Sequence, residues 1–267
     1  MDDRPIGMFD SGFGGLTVAR ALIDLLPDEH LVYFGDTGRY PYGSKTLDDV
    51  RGYSQQIAQY LVDDHDVKLL VVACNTAAAA ALELLQFEFG VPVIGVINPG
   101  VRSALAVTDN GRVGVIGTVG TVASGAYQRA VRAHRANVEL TCTACPGFVE
   151  FVERGQTEGE EVLILAERLL VPLTEAGVDT LLLGCTHYPF LARPIGEVMG
   201  REVVLVSSAD ETAFEVRGLL EETGLIRRSA GKGVHRFVSS GDVERFRELG
   251  AKLLGPEVDR VVGHQWG

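Results

Sequence analysis

The sequence is short of positive charge, since 24 Lys and Arg stand against 36 Asp and Glu and the formal net charge is -12. Binding to phosphates or to an anionic membrane needs clustered positive charge, so a broad nucleic-acid or membrane surface is not expected. No uncharged apolar run approaches the roughly 20 residues that span a bilayer, and the first residues lack the features of a signal peptide. We therefore expect a cytoplasmic protein that binds neither nucleic acid nor membrane.

Cysteine is also scarce, with four residues in the 267-residue chain. In a reducing compartment these are expected to be free thiols rather than a disulfide framework. Cys142 and Cys145 have C-x-x-C spacing, but no second such pair and no H-x-x-x-H motif completes a zinc site. The pair is interpreted as two small residues near a strand end.

Two common cofactor classes find little support. Pyridoxal phosphate needs a Schiff-base lysine, and none of the lysines stands in a persuasive cofactor-binding context. A glycine-rich loop at residues 10–15 follows an apolar run, but its order is G-x-G-G rather than G-x-G-x-x-G. A nucleotide site is therefore the weaker interpretation of that loop. The lysines are Lys45, Lys68, Lys232 and Lys252.

Two matched polar stretches, residues 74–76 and 185–187, each follow an apolar run. The runs at 69–73 and 181–184 have the near-continuous hydrophobicity of strands buried on both faces of a parallel sheet. Cys74 and Cys185 then lie at carboxyl ends of strands, where open α/β sheets bind ligands. Residues 67–76 align with 178–187 without a gap, which indicates a duplicated α/β unit.

We predict an α/β fold of two similar lobes, each a mostly parallel sheet flanked by helices, with the active site in the cleft between them. The tail has no counterpart in the repeat and is expected to pack back on the first lobe. Residues 1–97 plus 210–267 are predicted to form a discontinuous first domain, residues 98–209 the second, and 98–100 a crossing turn between them.

Opposed thiols suit a two-base proton transfer. An ordinary thiol pKa is roughly 8.5, and nearby positive charge lowers it. If the two halves close on a substrate, the thiolate on one side removes a proton from a carbon centre. The thiol on the other side then returns a proton and inverts the configuration, as a racemase or epimerase requires.

Two other classes of protein are alternatives to a racemase. A thiol hydrolase needs one cysteine with an oriented base and an oxyanion hole. His187 lies two positions from Cys185, which we expect to be too close along the chain for an oriented base, and Cys74 is then unexplained. A two-lobed binding module without catalysis is disfavoured by the absence of an export signal and by the two cleft thiols.

The sequence contains four short motifs, at residues 10–15, 41–43, 74–77 and 184–189. Together they resemble those of the aspartate/glutamate racemase family, in its order and spacing, and the likeness covers essentially the whole chain. The resemblance implies interconversion of L- and D-glutamate without cofactor or metal, which supplies D-glutamate for peptidoglycan, cell-wall biogenesis and cell shape. Aspartate, hydantoin and maleate enzymes of the same superfamily are the nearest alternatives.

The family also implies partners and roles. A homodimer is compatible with the resemblance, and some members are associated with inhibition of DNA gyrase, of which this acidic sequence gives no independent indication. Cys74 becomes the base for D-glutamate and Cys185 the base for L-glutamate, supported by Asp10 and His187 respectively. The resemblance assigns the substrate to Ser11, Tyr42, Gly43, Ser44, Asn75, Thr76 and Thr186, a carboxylate to Thr118 and Thr121, and the ammonium group to the vicinity of Glu150.

Several of these residues also have structural interpretations. Asp10, Ser11 and Thr118 each stand where a helix N-cap is favoured, and Glu150 has the setting of a solvated helix position. No cationic side chain emerges as a clamp for two carboxylates. We therefore expect backbone N–H groups, hydroxyls and amides to bind them.

Overall fold

The computed structural model describes residues 2–135, 137–229, 231–258 and 260–267. The strands are β1 Ile6–Asp10, β2 Leu31–Gly35, β3 Leu69–Val72, β4 Val93–Gly95, β5 Arg112–Gly117, β6 Glu139–Ala144, β7 Thr180–Gly184, β8 Val204–Val206, β9 His235–Ser239 and β10 Val261–Gly263. The helices are α1 Leu16–Leu25, α2 Leu47–His65, α3 Asn75–Glu88, α4 Ile97–Val107, α5 Val119–Ala123, α6 Ala126–Ala133, α7 Phe148–Glu153, α8 Glu160–Glu175, α9 Ala192–Met199, α10 Ala209–Thr223 and α11 Val243–Leu253, with 3₁₀ turns at Tyr42–Ser44 and Tyr188–Leu191.

The strands form two parallel sheets that share one strand order. The first sheet runs β10-β9-β2-β1-β3-β4 and the second runs β6-β5-β7-β8. The segment β2-β1-β3-β4 therefore corresponds strand for strand to the whole second sheet, which confirms the internal repeat. Helices flank both sheets, because buried parallel strands need cover on both faces. The two-lobed α/β fold predicted from the sequence is confirmed.

A pair of glycines shows how closely the two units correspond. Gly7 in β1 and Gly114 in β5 occupy equivalent strand positions. A Cβ at Gly7 would lie 2.9 Å from a methyl of Val67, and one at Gly114 would lie 2.8 Å from a methyl of Leu173. Both contacts are too short for a side chain, since packed interiors leave little free space. The repeat thus preserves a tight packing position as well as the strand order.

The tail extends the first sheet, as expected. β9 pairs with β2 and β10 pairs with β9, both in parallel, while α10 packs against α1. The strand β10 has no counterpart in the sequence prediction. The residue ranges assigned to the two domains stay a prediction.

The chain crosses between the two sheets next to the predicted residues 98–100, but these residues lie in the first turn of α4 rather than in a loop. Pro99 is compatible with a helix there, since the first N–H groups of a helix have no intrahelical partner. α4 packs against β7 and β8 of the second sheet. The chain therefore passes from one sheet to the other between β4 and α4.

A buried ion pair ties three segments of the first lobe together. Lys68 Nζ lies 2.6 Å from Glu29 Oε2, and both side chains are almost fully buried. The ammonium also donates to the carbonyl oxygen of Leu225 at 2.9 Å, and Glu29 Oε1 accepts from the N–H of Arg227 at 2.7 Å. Such a pair needs all its partners, because an uncompensated buried charge is costly.

Within the described ranges, no helix has the length and apolar character that crossing a membrane requires.

Candidate active site

Both cleft thiols line one small closed cavity between the lobes. Cys74 follows β3 and occupies the N-cap position of α3, and Cys185 follows β7. Their residues are only 5% and 7% exposed. The cavity is about 20 Å³ in volume and is lined from both lobes, which is room for little more than one water molecule. The sequence prediction that the two stretches are opposite walls of one site agrees with this geometry.

A carboxylate lies on the Cys74 side of the cavity. Asp10 is fully buried, and its Oδ1 accepts from the N–H of Gly12 at 2.8 Å. Its Oδ2 accepts from Thr186 Oγ1 of the opposite lobe at 3.2 Å. Burial raises the pKa of Asp10, although the positive charge of His187 and these hydrogen bonds oppose the shift. Asp10 therefore joins the two lobes beside the thiols.

The cap interpretation is wrong for Asp10 and Ser11. Gly15 is the N-cap residue of α1, and the Asp10 carboxylate accepts instead from the N–H groups of Gly12 and Gly15 in the loop before the helix. The cap interpretation is confirmed for Thr118, whose Oγ1 accepts from the N–H of Thr121 at 3.2 Å at the start of α5.

Cys74 is surrounded by groups that favour its protonated form. Burial raises the pKa of the Cys74 thiol to about 12, and the negative charges of Asp10 and Cys185 add to this effect. The N–H of Ala77 and the Ser11 hydroxyl, 3.8 Å from the sulfur, oppose it without balancing it. Cys74 is therefore a proton donor at neutral pH.

Cys185 lies beside a histidine instead. Its sulfur is 3.9 Å from His187 Nδ1, and His187 Nε2 is 2.8 Å from Glu153 Oε1. Burial disfavours the protonated ring, but the hydrogen bonds to Cys185 and Glu153 outweigh burial and raise the pKa of His187 to about 10. The ring is thus an imidazolium at neutral pH, with one N–H directed at each partner. A positive charge therefore lies 3.9 Å from the Cys185 sulfur.

This distance corrects one expectation. His187 was predicted to be badly placed, two positions from Cys185 along the chain, to act as its oriented base. The chain turns directly after β7 and enters the 3₁₀ turn Tyr188–Leu191, which folds the ring back toward the sulfur. The hydrolase interpretation gains a base by this geometry, but it still leaves Cys74 without a role.

The glycine-rich loop brings the lobes into contact. A Cβ at Gly14 would lie 2.3 Å from Thr186 Oγ1 and 2.5 Å from His187 Nδ1. Any side chain at this position would push the second lobe away from the first. Glycine permits this close approach of the backbone to the Cys185 turn of the other lobe.

Three threonine hydroxyls form a triangle across the cleft. Thr76 Oγ1 of the first lobe lies 3.0 Å from Oγ1 of both Thr118 and Thr121, which are themselves 3.0 Å apart. Thr76 and Thr118 line the cavity. Thr121 is fully buried behind them, so its hydroxyl acts through its two neighbours.

The remaining residues assigned to the substrate divide into two groups. Asn75 lines the cavity, where its amide N–H₂ donates to Tyr127 Oη at 2.8 Å and its Oδ1 is buried without a hydrogen-bond partner in the described ranges. Ser44 and Glu150 are exposed and do not line the cavity. Glu150 lines a neighbouring cavity of about 670 Å³. Ser11, Tyr42, Gly43 and Thr186 also line the thiol cavity.

Glu153 and Tyr40 are site residues that the sequence prediction missed. Glu153 lies on α7, three residues after Glu150, and binds His187. Tyr40 lines both the thiol cavity and the larger cavity beside it. A second glutamate one turn along the helix was the available signal for Glu153, whereas nothing in the sequence places Tyr40 between two cavities.

Two opposed α/β lobes thus each place one thiol at a shared cavity. The sequence matches the family described as Asp/Glu/Hydantoin racemase over residues 15–214. The chain belongs to this family, and the amino-acid racemase class predicted from the sequence is confirmed.

The relatives are named for one substrate. The glutamate racemase of Acidothermus cellulolyticus is 53% identical over 98% of this chain and 99% of its own length. A crystal structure of a glutamate racemase isoform from Bacillus anthracis is 39% identical with a TM-score of 0.93, covering 100% of this chain and 98% of that one. The Francisella tularensis glutamate racemase, solved in complex with D-glutamate, is 33% identical with a TM-score of 0.92, covering 100% and 98%.

Proposed function

We propose that this protein interconverts L- and D-glutamate by proton transfer between Cys74 and Cys185, without a cofactor. The observation that carries the proposal is the pair of buried thiols on opposite lobes of one cavity. Near full-length similarity to proteins named glutamate racemase supports the choice of substrate.

The two thiols have neighbours of different charge, Asp10 beside Cys74 and His187 beside Cys185, and in this proposal these neighbours set the role of each thiol. With L-glutamate bound, the Cys185 thiolate, stabilised by the His187 imidazolium, removes the α-proton and becomes a thiol. The Cys74 thiol then donates its proton to the opposite face of the α-carbon, forms a thiolate and completes D-glutamate. The reverse reaction uses the same steps in the opposite order, so protons balance in both directions.

Neutral groups bind the substrate in this proposal. Among the described residues that line the cavity there is neither Lys nor Arg. Asn75 has a buried amide oxygen without a hydrogen-bond partner, which suits an ammonium group, and the Thr76 and Thr118 hydroxyls suit a carboxylate. These contacts agree with the expectation that hydroxyls and amides bind the charged groups.

Substrate entry requires the cleft to open. A cavity of about 20 Å³ cannot admit an amino acid. The hydrogen bond from Thr186 to Asp10 and the one between the hydroxyls of Thr76 and Thr118 cross between the lobes and would break during opening. Closure then excludes water from the thiols, which protects the charged intermediate.

The cellular role follows from the product. D-Glutamate made in the cytoplasm would serve bacterial peptidoglycan synthesis, as the family resemblance implies. A homodimer belongs to the same proposal and is tested by the mass of the protein in solution.

Racemisation of pure L-glutamate without added cofactor, followed by circular dichroism, tests the proposal. Cys74→Ala and Cys185→Ala should each abolish turnover, because each removes one of two obligatory proton carriers. Cys142→Ala is the matched control, since Cys142 is a half-buried thiol in β6 outside the cavity, and it should retain activity.

Substrate comparison and solvent exchange decide between the alternatives. Faster racemisation of aspartate than of glutamate would reassign the substrate. Failure to incorporate solvent deuterium at the α-carbon of either enantiomer would leave only a binding function. Full turnover by Cys74→Ala or by Cys185→Ala would reject the two-thiol mechanism.

A further inference from the structure

A buried carboxylate outside the thiol cavity gathers donors from separate segments. Asp36 directly follows β2 and its side chain has no exposed surface. It accepts hydrogen bonds from Arg39 Nε at 2.7 Å, Ser240 Oγ at 2.6 Å, Trp266 Nε1 at 3.2 Å and the hydroxyl of Tyr42. A carboxylate offers about four lone-pair sites, so these four donors saturate it.

One of the four donors belongs to the wall of the thiol cavity. Tyr42 is 1% exposed and lines the cavity together with Pro41 and Gly43. Because its only O–H is donated to Asp36, the polar end of Tyr42 is directed toward the carboxylate and its ring forms part of the wall. Asp36 itself does not line the cavity. It can therefore affect a bound substrate only through Tyr42 and the segment that carries it.

The opposite side of Asp36 is held by the C-terminal segment. The Arg39 guanidinium lies 4.1 Å from the ring centroid of Trp266 and 4.3 Å from that of Tyr53. Trp266 also packs against the rings of Phe34 at 5.4 Å and His264 at 4.4 Å. Cation–π contacts of this kind stabilise a partly buried guanidinium. Asp36 thus connects residues 264–266 to the segment that forms the cavity wall.

We propose that Asp36 is a positioning residue for glutamate binding, which fixes Tyr42 as a wall of the thiol cavity and is itself held by Trp266. This inference rests on the proposed racemase function. Asp36 touches no reacting atom, and the partners of the two thiols, His187 and Asp10, lie on other segments. Loss of the carboxylate should therefore weaken substrate binding and leave proton transfer largely intact.

Steady-state kinetics in both directions provide the first test. Asp36→Asn should raise KM for both enantiomers roughly tenfold, as expected for losing a hydrogen bond to a charged group. It should change kcat by less than about threefold, since a uniform loss of binding appears in KM. Tyr42→Phe should raise KM similarly. The double variant should be no worse than Asp36→Asn, because both changes remove the same contact.

Glu29→Gln is the matched control. Glu29 is a buried carboxylate that precedes β2, whereas Asp36 follows it, and Glu29 binds Lys68 and the N–H of Arg227 far from the cavity. The control should lower the unfolding midpoint but leave KM unchanged. An equal rise of KM in Glu29→Gln would show that Asp36 acts only through stability, and would overturn the inference.

A second readout does not depend on activity. Trp266 is the only tryptophan in the sequence, so tryptophan fluorescence reports on the surroundings of Asp36. Its emission maximum should shift in Asp36→Asn and also in Tyr42→Phe, and should not shift in Glu29→Gln. Unchanged emission in Tyr42→Phe would show that Trp266 and the cavity wall are not connected, and would overturn the inference.

The two proposals fail in different ways. A wild-type protein that does not racemise glutamate rejects the proposed function, whereas the fluorescence comparison still tests the connection. A wild-type protein that racemises glutamate, with KM unchanged in Asp36→Asn, rejects the positioning role alone.

Discussion

The two lobes present the same thiol on the same backbone plan, and they differ in what surrounds it. Cys74 and Cys185 follow equivalent strands, β3 and β7, and both are buried. Beside Cys74 lies the carboxylate of Asp10, which helps raise the thiol pKa to about 12. Beside Cys185 lies His187, whose pKa is raised to about 10. The repeat thus places two identical groups at equivalent positions, and their neighbouring side chains differ in charge.

In the proposed mechanism this difference suits L-glutamate as the first substrate. The raised pKa of Cys74 keeps its proton in place, while the positive charge of His187 lies beside Cys185, the proposed base for L-glutamate. In that mechanism one turnover moves a proton onto Cys185 and removes one from Cys74. Burial also raises the pKa of Asp10, the carboxyl group that neighbours Cys74.

The largest expected effect comes from removing the positive charge of His187 beside Cys185. His187→Asn should lower kcat/KM about 10²- to 10⁴-fold, the range for loss of assisted proton transfer. The two enantiomers have equal free energy, so kcat/KM must fall equally in both directions. The isotope effect of α-deuterium on kcat/KM shows instead which thiol is impaired. It should grow for L-glutamate and shrink for D-glutamate, because proton transfer at Cys185 becomes the rate-limiting step.

Asp10→Asn is the mirror variant for this measurement. Its isotope effects should change in the opposite sense, because it alters the surroundings of Cys74. If His187→Asn and Asp10→Asn gave the same pattern of isotope effects, the two sides would not differ in the way that their neighbours indicate.

A smaller effect concerns stability and pH. The pKa of His187 rises from 6.5 to about 10 on folding, so the folded state binds the proton more tightly. The resulting stabilisation is complete below pH 6.5 and is lost as the pH rises toward 10. Its size is on the order of a few kcal/mol. Urea unfolding between pH 6.5 and 9 should show a falling free energy of unfolding in the wild type and a flatter dependence in His187→Asn.

Measuring only up to pH 9 separates the contribution of His187 to the free energy of unfolding from that of Cys74. The Cys74 pKa rises from 9.0 to about 12 on folding, so its stabilisation is lost only above pH 9. Cys74→Ala should therefore leave the slope between pH 6.5 and 9 unchanged. Parallel curves for the wild type and His187→Asn in that window would show that the ring is not charged in the folded protein.

The sequence was sufficient for the features that depend on local pattern. The apolar runs that end before Cys74 and Cys185 predict buried strands, because buried parallel strands are continuously hydrophobic. The repeat then places both thiols at the carboxyl ends of equivalent strands. The turn of α4 around Pro99 was missed, since proline marks both loops and the first turn of a helix.

The contacts of the site could not be predicted in the same way. The pairing of Glu153 with His187, and of Asp36 with Trp266, joins residues far apart in the chain, and such pairs depend on how complete elements pack. Ser44 and Glu150 show the converse, because the family resemblance assigns them to the substrate and yet both side chains are exposed and neither lines the thiol cavity. Resemblance predicts proximity, and only packing determines contact.

The smallest expected effect compares two equivalent residues of the repeat. Ser11 and Thr118 each follow the end of the first strand of their unit, but Thr118 caps α5 through the N–H of Thr121 and Ser11 caps no helix. Thr118→Ala should cost about 1 kcal/mol in the free energy of unfolding, the usual value for an N-cap. Ser11→Ala should cost markedly less, as measured by urea unfolding at one pH. Equal losses would show that capping has not diverged between the two units, and that their difference is confined to the surroundings of the thiols.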